Sequence, residues 1–295
     1  MQAKASIAFA QAPDDKPANW ENARVKQLSI EDSLQWTQRF VAREWKLLLP
    51  VAFAFMALPQ LAMDLLLPAR IAAAFTTLTP TTVRPLLASA PWLAPLAALI
   101  QLIACVGGLS IVALALVPRV SVSEALGLAV RRLLIFVAAM ILMILAGLLA
   151  ATFVEILLQL ARLSLASAQG VLVGVILGIG LVFSVRLIVL APVVVASRAG
   201  PIAAIHLAWD LTAGAFWRLL GAMLVYCIGG AVVVSASAFA LGTIFVLAGN
   251  AVGMPDLGTD LSAIYLRLAL ALFWAGFNVL IVALYRQLGG SIRGT

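Results

Sequence analysis

Hydrophobic positions along this chain fall in long unbroken blocks, not in the alternation of a half-buried strand or the narrow stripe of a surface helix. Six blocks reach the roughly 20 residues needed to cross about 30 Å of hydrocarbon: about 47–67, 92–117, 133–158, 170–196, 216–248 and 262–284. The pattern predicts an all-α polytopic membrane protein with six transmembrane helices, because a lipid-exposed backbone must satisfy its own hydrogen bonds. Pro50 and Pro59 in the first block, and Gly229, Gly230 and Gly242 in the fifth, are expected points of kinking or breakage.

Polar segments between the blocks refine this picture. Residues 1–46 lack the basic, apolar, small-residue order of a secretory signal, so this arm is expected to remain in the mature protein, with residues 1–28 polar and irregular. Ser29 can cap a helix starting at Ile30, with Leu34, Phe40 and Val41 on one side and Glu31, Gln38 and Arg39 on another. That helix is expected to lie at the membrane interface and feed the first span. Two amphipathic elbow helices are expected on the cytoplasmic side. At about 121–132, Ser121 and Glu124 have the spacing of a capping box. At 201–213, Pro201 suits a first helical turn and Gly214 a stop. Glu124–Arg132 and Ala203–Leu211 share an apolar pattern, which reads as two copies of a span, elbow, span unit. The expected organisation is a 1–28 arm, a 29–288 membrane domain and a 289–295 cytoplasmic tail.

Composition removes the alternatives. With 64% hydrophobic and 11% charged residues and a mean hydropathy of +1.13, the chain is neither a water-soluble enzyme, a disordered polymer nor a disulfide scaffold. Thirteen of its 31 charged residues lie in the first 46 positions. Of the 19 cations, fourteen fall in the N-terminal segment, alternate loops and the C-terminus, against Arg70, Arg84 and Arg162 in the opposite loops. This asymmetry places both termini in the cytoplasm. The net charge of +7 is dispersed over loops, so no nucleic-acid partner is expected. Cys105 and Cys227 sit inside apolar runs and read as small hydrophobes.

The run Arg186–Ala196, then Gly200–Gly221 with its Ile-His-Leu-Ala-Trp-Asp-Leu-Thr-Ala-Gly core, closing with Tyr285 and Arg286, resembles the YciC-like inner-membrane proteins. It is equally similar to the membrane domain attached to some bacterial glycerophosphodiester phosphodiesterases. The resemblance spans 29–288 and is most specific over 186–221. It implies six spans in a bacterial inner membrane and brings no established activity; the phosphodiesterase catalytic domain has no counterpart in these residues. Family members carry a basic or polar residue at the His206 position and Ser at the Ala208 position, so the resemblance transfers no ligand role to either.

Candidate chemistry is sparse. Ser197-Arg198, His206 and Asp210 resemble the last motif of the membrane phosphatidate-phosphatase superfamily, in which His attacks phosphorus. Seven residues, not five, separate Arg198 from His206 here, and two extra residues turn the Arg about 200° around a helix. The chain also has one His in total and no Lys after Lys46, so a leaving-group acid and a phosphate clamp are missing. Ser110 in Gly108-Leu-Ser110 is expected to bond its own backbone. No catalytic residue, metal site or cofactor is assigned.

Ionisable residues within spans are the stronger clues, since they are costly in hydrocarbon. Arg186, Asp210 and His206 form the candidate ligand-binding set, with an Arg186–Asp210 ion pair expected if the second elbow folds back under the bundle. Asp64, Glu155 and Arg267 lie at similar depths and are expected to form a buried ion cluster. Arg119, Arg131, Arg132, Arg198 and Arg218 are placed to contact anionic lipid. Gln101, Asn250 and Asn278, and Gly107, Gly108, Gly174, Gly178 and Gly180, are expected to serve helix packing, and Trp209 and Trp217 to anchor the interface. The expected function is a non-enzymatic membrane protein that handles or senses lipid or scaffolds partners. The alternatives are a transporter of a small or amphipathic solute and, more remotely, a lipid-phosphate enzyme using His206. Membrane lipids are the expected partners, with proteins or a second copy of the chain as further candidates.

Overall fold

Local chemistry starts and stops the helices largely where the residues require. The computed structural model describes residues 29–66, 91–160, 165–197 and 199–289; the 1–28 arm, Arg70, Arg84, Arg162, Arg198 and the 290–295 tail lie outside the described residues. Helix α1 (Ile30–Ala52) opens with the Ser29 hydroxyl accepting from the Asp32 amide at 3.2 Å. A five-residue π-helical segment, Phe53–Ala57, carries it into α2 (Leu58–Leu66). Next come α3 (Leu93–Leu116), α4 (Val122–Leu160), α5 (Leu165–Arg186), α6 (Leu190–Ala196), α7 (Pro201–Leu211), α8 (Phe216–Ala251) and α9 (Pro255–Gln287). All the described elements are helical, and six stretches are long and apolar enough to cross a membrane, as the hydrophobic blocks predict.

The capping box at the head of α4 forms in both directions. The Ser121 amide donates to Glu124 Oε2 at 2.9 Å and the Glu124 amide donates to Ser121 Oγ at 3.3 Å. It does not, however, begin a separate elbow. Residues 122–160 are one continuous 39-residue helix, because Arg131-Arg132-Leu133-Leu134 are good helix formers with no Pro or Gly to stop them. The second elbow is separate: α7 has Pro201 at its first turn and ends at Thr212, before Gly214 at φ +78°.

The fourth span is interrupted at residues 187–189, between α5 and α6. Pro192 explains the break, since its missing N–H removes a bond to the Ile188 carbonyl and its ring crowds that oxygen. The first span departs from α-geometry at Glu44 (φ −104°, ψ 16°) and again through the π-helical segment that follows Pro50. The fifth helix, α8, is unbroken despite its glycines. Gly230 and Gly242 instead give room to α9: a Cβ on Gly230 would overlap the Phe273 ring and one on Gly242 would lie 2.7 Å from Ser262 Oγ. At the α8–α9 hairpin, Gly249 and Gly258 bring two backbones together, so that a Cβ on either would run into main-chain atoms of the other helix.

Gly107 likewise admits Phe55 of the π-helical segment. Gly174, Gly178 and Gly180 do not follow the expectation: each faces open space, because the part of α5 that carries them has no helix against that face. Ser110 donates to the Val106 carbonyl at 2.7 Å and Asn278 to the Trp274 carbonyl at 2.8 Å, so both satisfy themselves within their helices. Cys105 and Cys227 are free thiols.

Two helices form the centre. α3 packs against α1, α2, α4, α6 and α9, and α9 packs against α1, α2, α3, α6 and α8. Burial is concentrated at one end, in Leu109–Ala113, Val189–Val195 and Val279–Tyr285. At that end the Ser29 amide donates to Gln287 Oε1 at 3.0 Å, which ties the start of α1 to the end of α9. It also holds the end of α3 and the start of α8, where Ile30 meets Gly221. Arg39, Arg43, Arg119, Arg218 and Arg286 lie here, so it is termed the basic end.

Candidate functional site

Where α1, the turn after α3 and the end of α9 meet, they leave a cavity of about 440 Å³. Its walls come from residues distant in sequence. Trp36, Phe40, Arg43, Glu44, Leu47 and Leu48 descend from α1, Leu114 and Ala115 from α3, Pro118, Arg119 and Val120 from the following turn, and Arg286 from α9. A smaller adjoining cavity of about 210 Å³ lies among Trp36, Arg39, Phe40 and Arg43. Trp36 and Phe40, one helical turn apart, stack at 5.2 Å and 18° and, with Arg43, line both spaces.

Arg286 is held rigidly. Its Nη2 donates to the Ala115 carbonyl at 2.8 Å and the Leu116 carbonyl at 3.0 Å. These are among the last carbonyls of α3, which no helical amide reaches, so a cation there also meets the negative end of the helix dipole. The guanidinium carbon sits 5.0 Å from the centre of the Trp36 ring, a cation–π contact that joins α9 to α1. Arg43 lies 5.9 Å over the Phe40 ring and donates through Nε to Glu44 Oε1 at 2.9 Å.

Both backbone irregularities at this end line the same cavity. Neighbouring side chains on a regular helix diverge by about 100°, and the non-helical Glu44 lets its carboxylate meet Arg43. Arg119 is the only non-glycine residue at positive φ among the described residues, at +61°. A left-handed conformation costs a residue with a Cβ about 1–2 kcal/mol, and such strain collects at functional positions. Arg119 is exposed and, among the described residues, makes no hydrogen bond or ion pair, so its guanidinium is open to a ligand.

The residues expected to bind a ligand are arranged differently. Arg186 ends α5, and its guanidinium carbon lies 5.1 Å from the Trp209 ring centre; the Phe183 ring lies 5.9 Å from the same indole. The expected Arg186–Asp210 ion pair does not form. α7 does pack back on α4 and α6, but it turns Trp209 toward Arg186, which leaves Asp210, about 100° further round, exposed. Arg186 Nη1 is buried without a hydrogen-bond partner. The Arg186 carbonyl accepts from the fully buried Thr212 hydroxyl at 3.1 Å, which docks the end of α7 on the interrupted span. His206 is exposed on α7 and shares a face with Asp210 at one turn.

Of the expected buried ion cluster, Asp64 and Arg267 pair, and that pair is not buried. Arg267 donates to both carboxylate oxygens of Asp64, at 2.6 and 2.8 Å, with each side chain about a third exposed. Of the arginines expected to meet anionic lipid, Arg119 joins the cavity, Arg131 and Arg218 are exposed, Arg132 is half-buried, and Arg198 lies outside the described residues. Trp36, Phe40, Arg43, Glu44 and Arg286 were not singled out as a site from the sequence. The available signal was the pairing of Trp36, Phe40 and Arg43 on one face of a helix at three- and four-residue spacing.

The fold and this cavity define a class, the all-α multi-pass membrane proteins. Comparison of the chain with protein-family models, curated proteins and solved structures returns no match.

Proposed function

We propose that this chain is a non-enzymatic protein of a bacterial inner membrane, with both termini cytoplasmic, that handles or senses an anionic amphiphile at its basic end. One observation carries the reading: three arginines, Arg43, Arg119 and Arg286, line one cavity with Trp36, Phe40, Leu47, Leu48 and Leu114. A cationic floor beside an apolar wall suits a molecule with a charged head and a hydrocarbon tail. Cytoplasmic placement rests on the fourteen-to-three cation asymmetry of the sequence. A YciC-like assignment rests on residues 186–221, and scaffolding of partner proteins remains compatible with the exposed α7.

The test is native mass spectrometry of the protein purified in mild detergent, compared with the Arg43→Gln, Arg119→Gln double variant. An anionic lipid retained by the wild type and lost from the variant is expected; equal retention by both removes this cavity as the binding site.

A second reading, transport of a small solute, is favoured by one separate feature. The fourth span breaks at 187–189 beside Arg186, whose Nη1 has no partner, and interrupted spans with unsatisfied polar groups are a device of transporters. Aqueous thiol reagents should then modify a cysteine introduced at Val189 from both sides of a proteoliposome in different states. Protection from both sides rejects the transporter.

A further inference from the structure

The chemistry of the cavity narrows its occupant, and this step rests on the lipid-binding reading above. We propose that the cavity takes a phosphomonoester headgroup carried on an acyl chain, in preference to a phosphodiester headgroup, with Arg43 and Arg119 as the gripping residues and Arg286 as a fixed wall.

Charge supplies the first argument. Three guanidiniums face one carboxylate, that of Glu44, which leaves a surplus of two positive charges. Arg39 does not add to it, since it lines the adjoining space and donates to Gln35 Oε1 at 2.7 Å. A phosphomonoester, with a second pKa near 6, carries about −1.5 to −2 at neutral pH. Arg43, Arg119 and Arg286 are all exposed, so the discrimination is one of attraction: a phosphodiester, with a single negative charge, is drawn to the surplus of two less strongly than a dianion is.

Donor geometry supplies the second. Arg286 has Nη2 engaged by two carbonyls, and Arg43 has Nε engaged by Glu44, so the Arg43 η-nitrogens and the complete fork of Arg119 are the largest sets of donors open to a ligand, ahead of the remaining Nε and Nη1 of Arg286. Two forks approaching from different elements match an oxygen-rich terminal phosphate, which offers three unesterified oxygens where a diester offers two. Glu44 occupies the place of an anion: its carboxylate already accepts from Arg43, held there by a non-helical backbone. An incoming phosphate competes with it.

Shape supplies the third. A volume of about 440 Å³ falls within the range of small-molecule sites, about 300–1,000 Å³, and far exceeds an inorganic ion. Leu47, at 41% exposure, opens the cavity along the apolar face of the first span, where an acyl chain can run. The shared chemistry is therefore a phosphomonoester, available from a lipid or a soluble metabolite, and the acyl chain separates the two sources.

The full-length protein in detergent would be titrated with dioctanoyl phosphatidate, dioctanoyl phosphatidylglycerol, glycerol 3-phosphate and inorganic phosphate. Phosphatidate is expected to bind at least tenfold more tightly than each of the others. Arg119→Gly is the informative variant, because glycine accepts the positive φ without strain while the guanidinium is lost. It should fold normally and lose at least tenfold in phosphatidate affinity, whereas Glu44→Gln should gain several-fold. Equal affinity for phosphatidate and phosphatidylglycerol overturns the headgroup inference and leaves the anionic-lipid reading standing. Binding of glycerol 3-phosphate as tight as phosphatidate overturns the acyl-chain part. Absence of binding by any of the four overturns both inference and reading. Arg119→Gly binding with unchanged affinity removes Arg119 from the site.

Discussion

Two arginines in this molecule stack on tryptophans at almost the same distance, 5.0 Å for Arg286 on Trp36 and 5.1 Å for Arg186 on Trp209, yet their surroundings differ. Arg286 reaches across from α9 to carbonyls at the end of α3, and both bonds are short. Arg186 ends its own helix, points to an indole and leaves Nη1 buried without a partner. Both arginines lie in the last turn of their own helices, and the difference is that Arg286 meets the free carbonyls at the end of a second helix while Arg186 meets an indole. The first arginine is anchored and borders an open cavity. The second is half-buried at an interruption in a span.

The widest gap between the two should appear on truncation of the anchored residue. Arg286→Ala removes two charge-assisted bonds and one cation–π contact, and is expected to lower stability by about 2–4 kcal/mol. The check is thermal unfolding in detergent; a loss below about 1 kcal/mol would remove the structural distinction. A reference for exposed pairing comes next: Arg267→Asp should cost about 1 kcal/mol, limited by the one-third exposure of the pair, and Asp64→Arg in the same chain should restore it. Failure of rescue would break that pair. Smaller again is Arg186→Met, expected within about 1 kcal/mol of wild type, in either direction, since the lost ring contact is offset by removing an unsatisfied buried nitrogen. A loss above about 2 kcal/mol would show that Nη1 finds a partner in solution. The smallest effect belongs to the reversal of Arg186→Asp with Asp210→Arg. Double-mutant analysis of expression and stability should give a coupling near zero, because the two side chains do not meet; clear rescue would contradict the placement of Trp209 against Arg186 with Asp210 turned away.

Legibility differed by element in physically understandable ways. Helix starts at Ser29, Ser121 and Pro201 were readable because caps and prolines act within one turn. The interruption at 187–189 was equally local, through Pro192, but was hidden inside an uninterrupted apolar block, since a hydropathy pattern is blind to a missing amide. The glycines of α8 show the opposite failure. Gly230 and Gly242 look like weak points in a single helix, and only the arrival of α9 turns them into contact points. Asp64 and Arg267 were grouped correctly by depth, because residues at one level of neighbouring helices are within reach of each other.

The sequence by itself determined the solvent this protein lives in, the six apolar helices and most of their ends, because hydrophobic length and local capping depend on neighbours within a few residues. Only the tertiary structure decided which cations share a space. Arg43, Arg119 and Arg286 are separated by 76 and 167 positions, and nothing in their local sequence links them. They converge because α1, α3 and α9 pack at their basic ends. In a membrane that packing follows from close contact of small residues and from polar bonds between helices, not from hydropathy, which lipid and protein interior share.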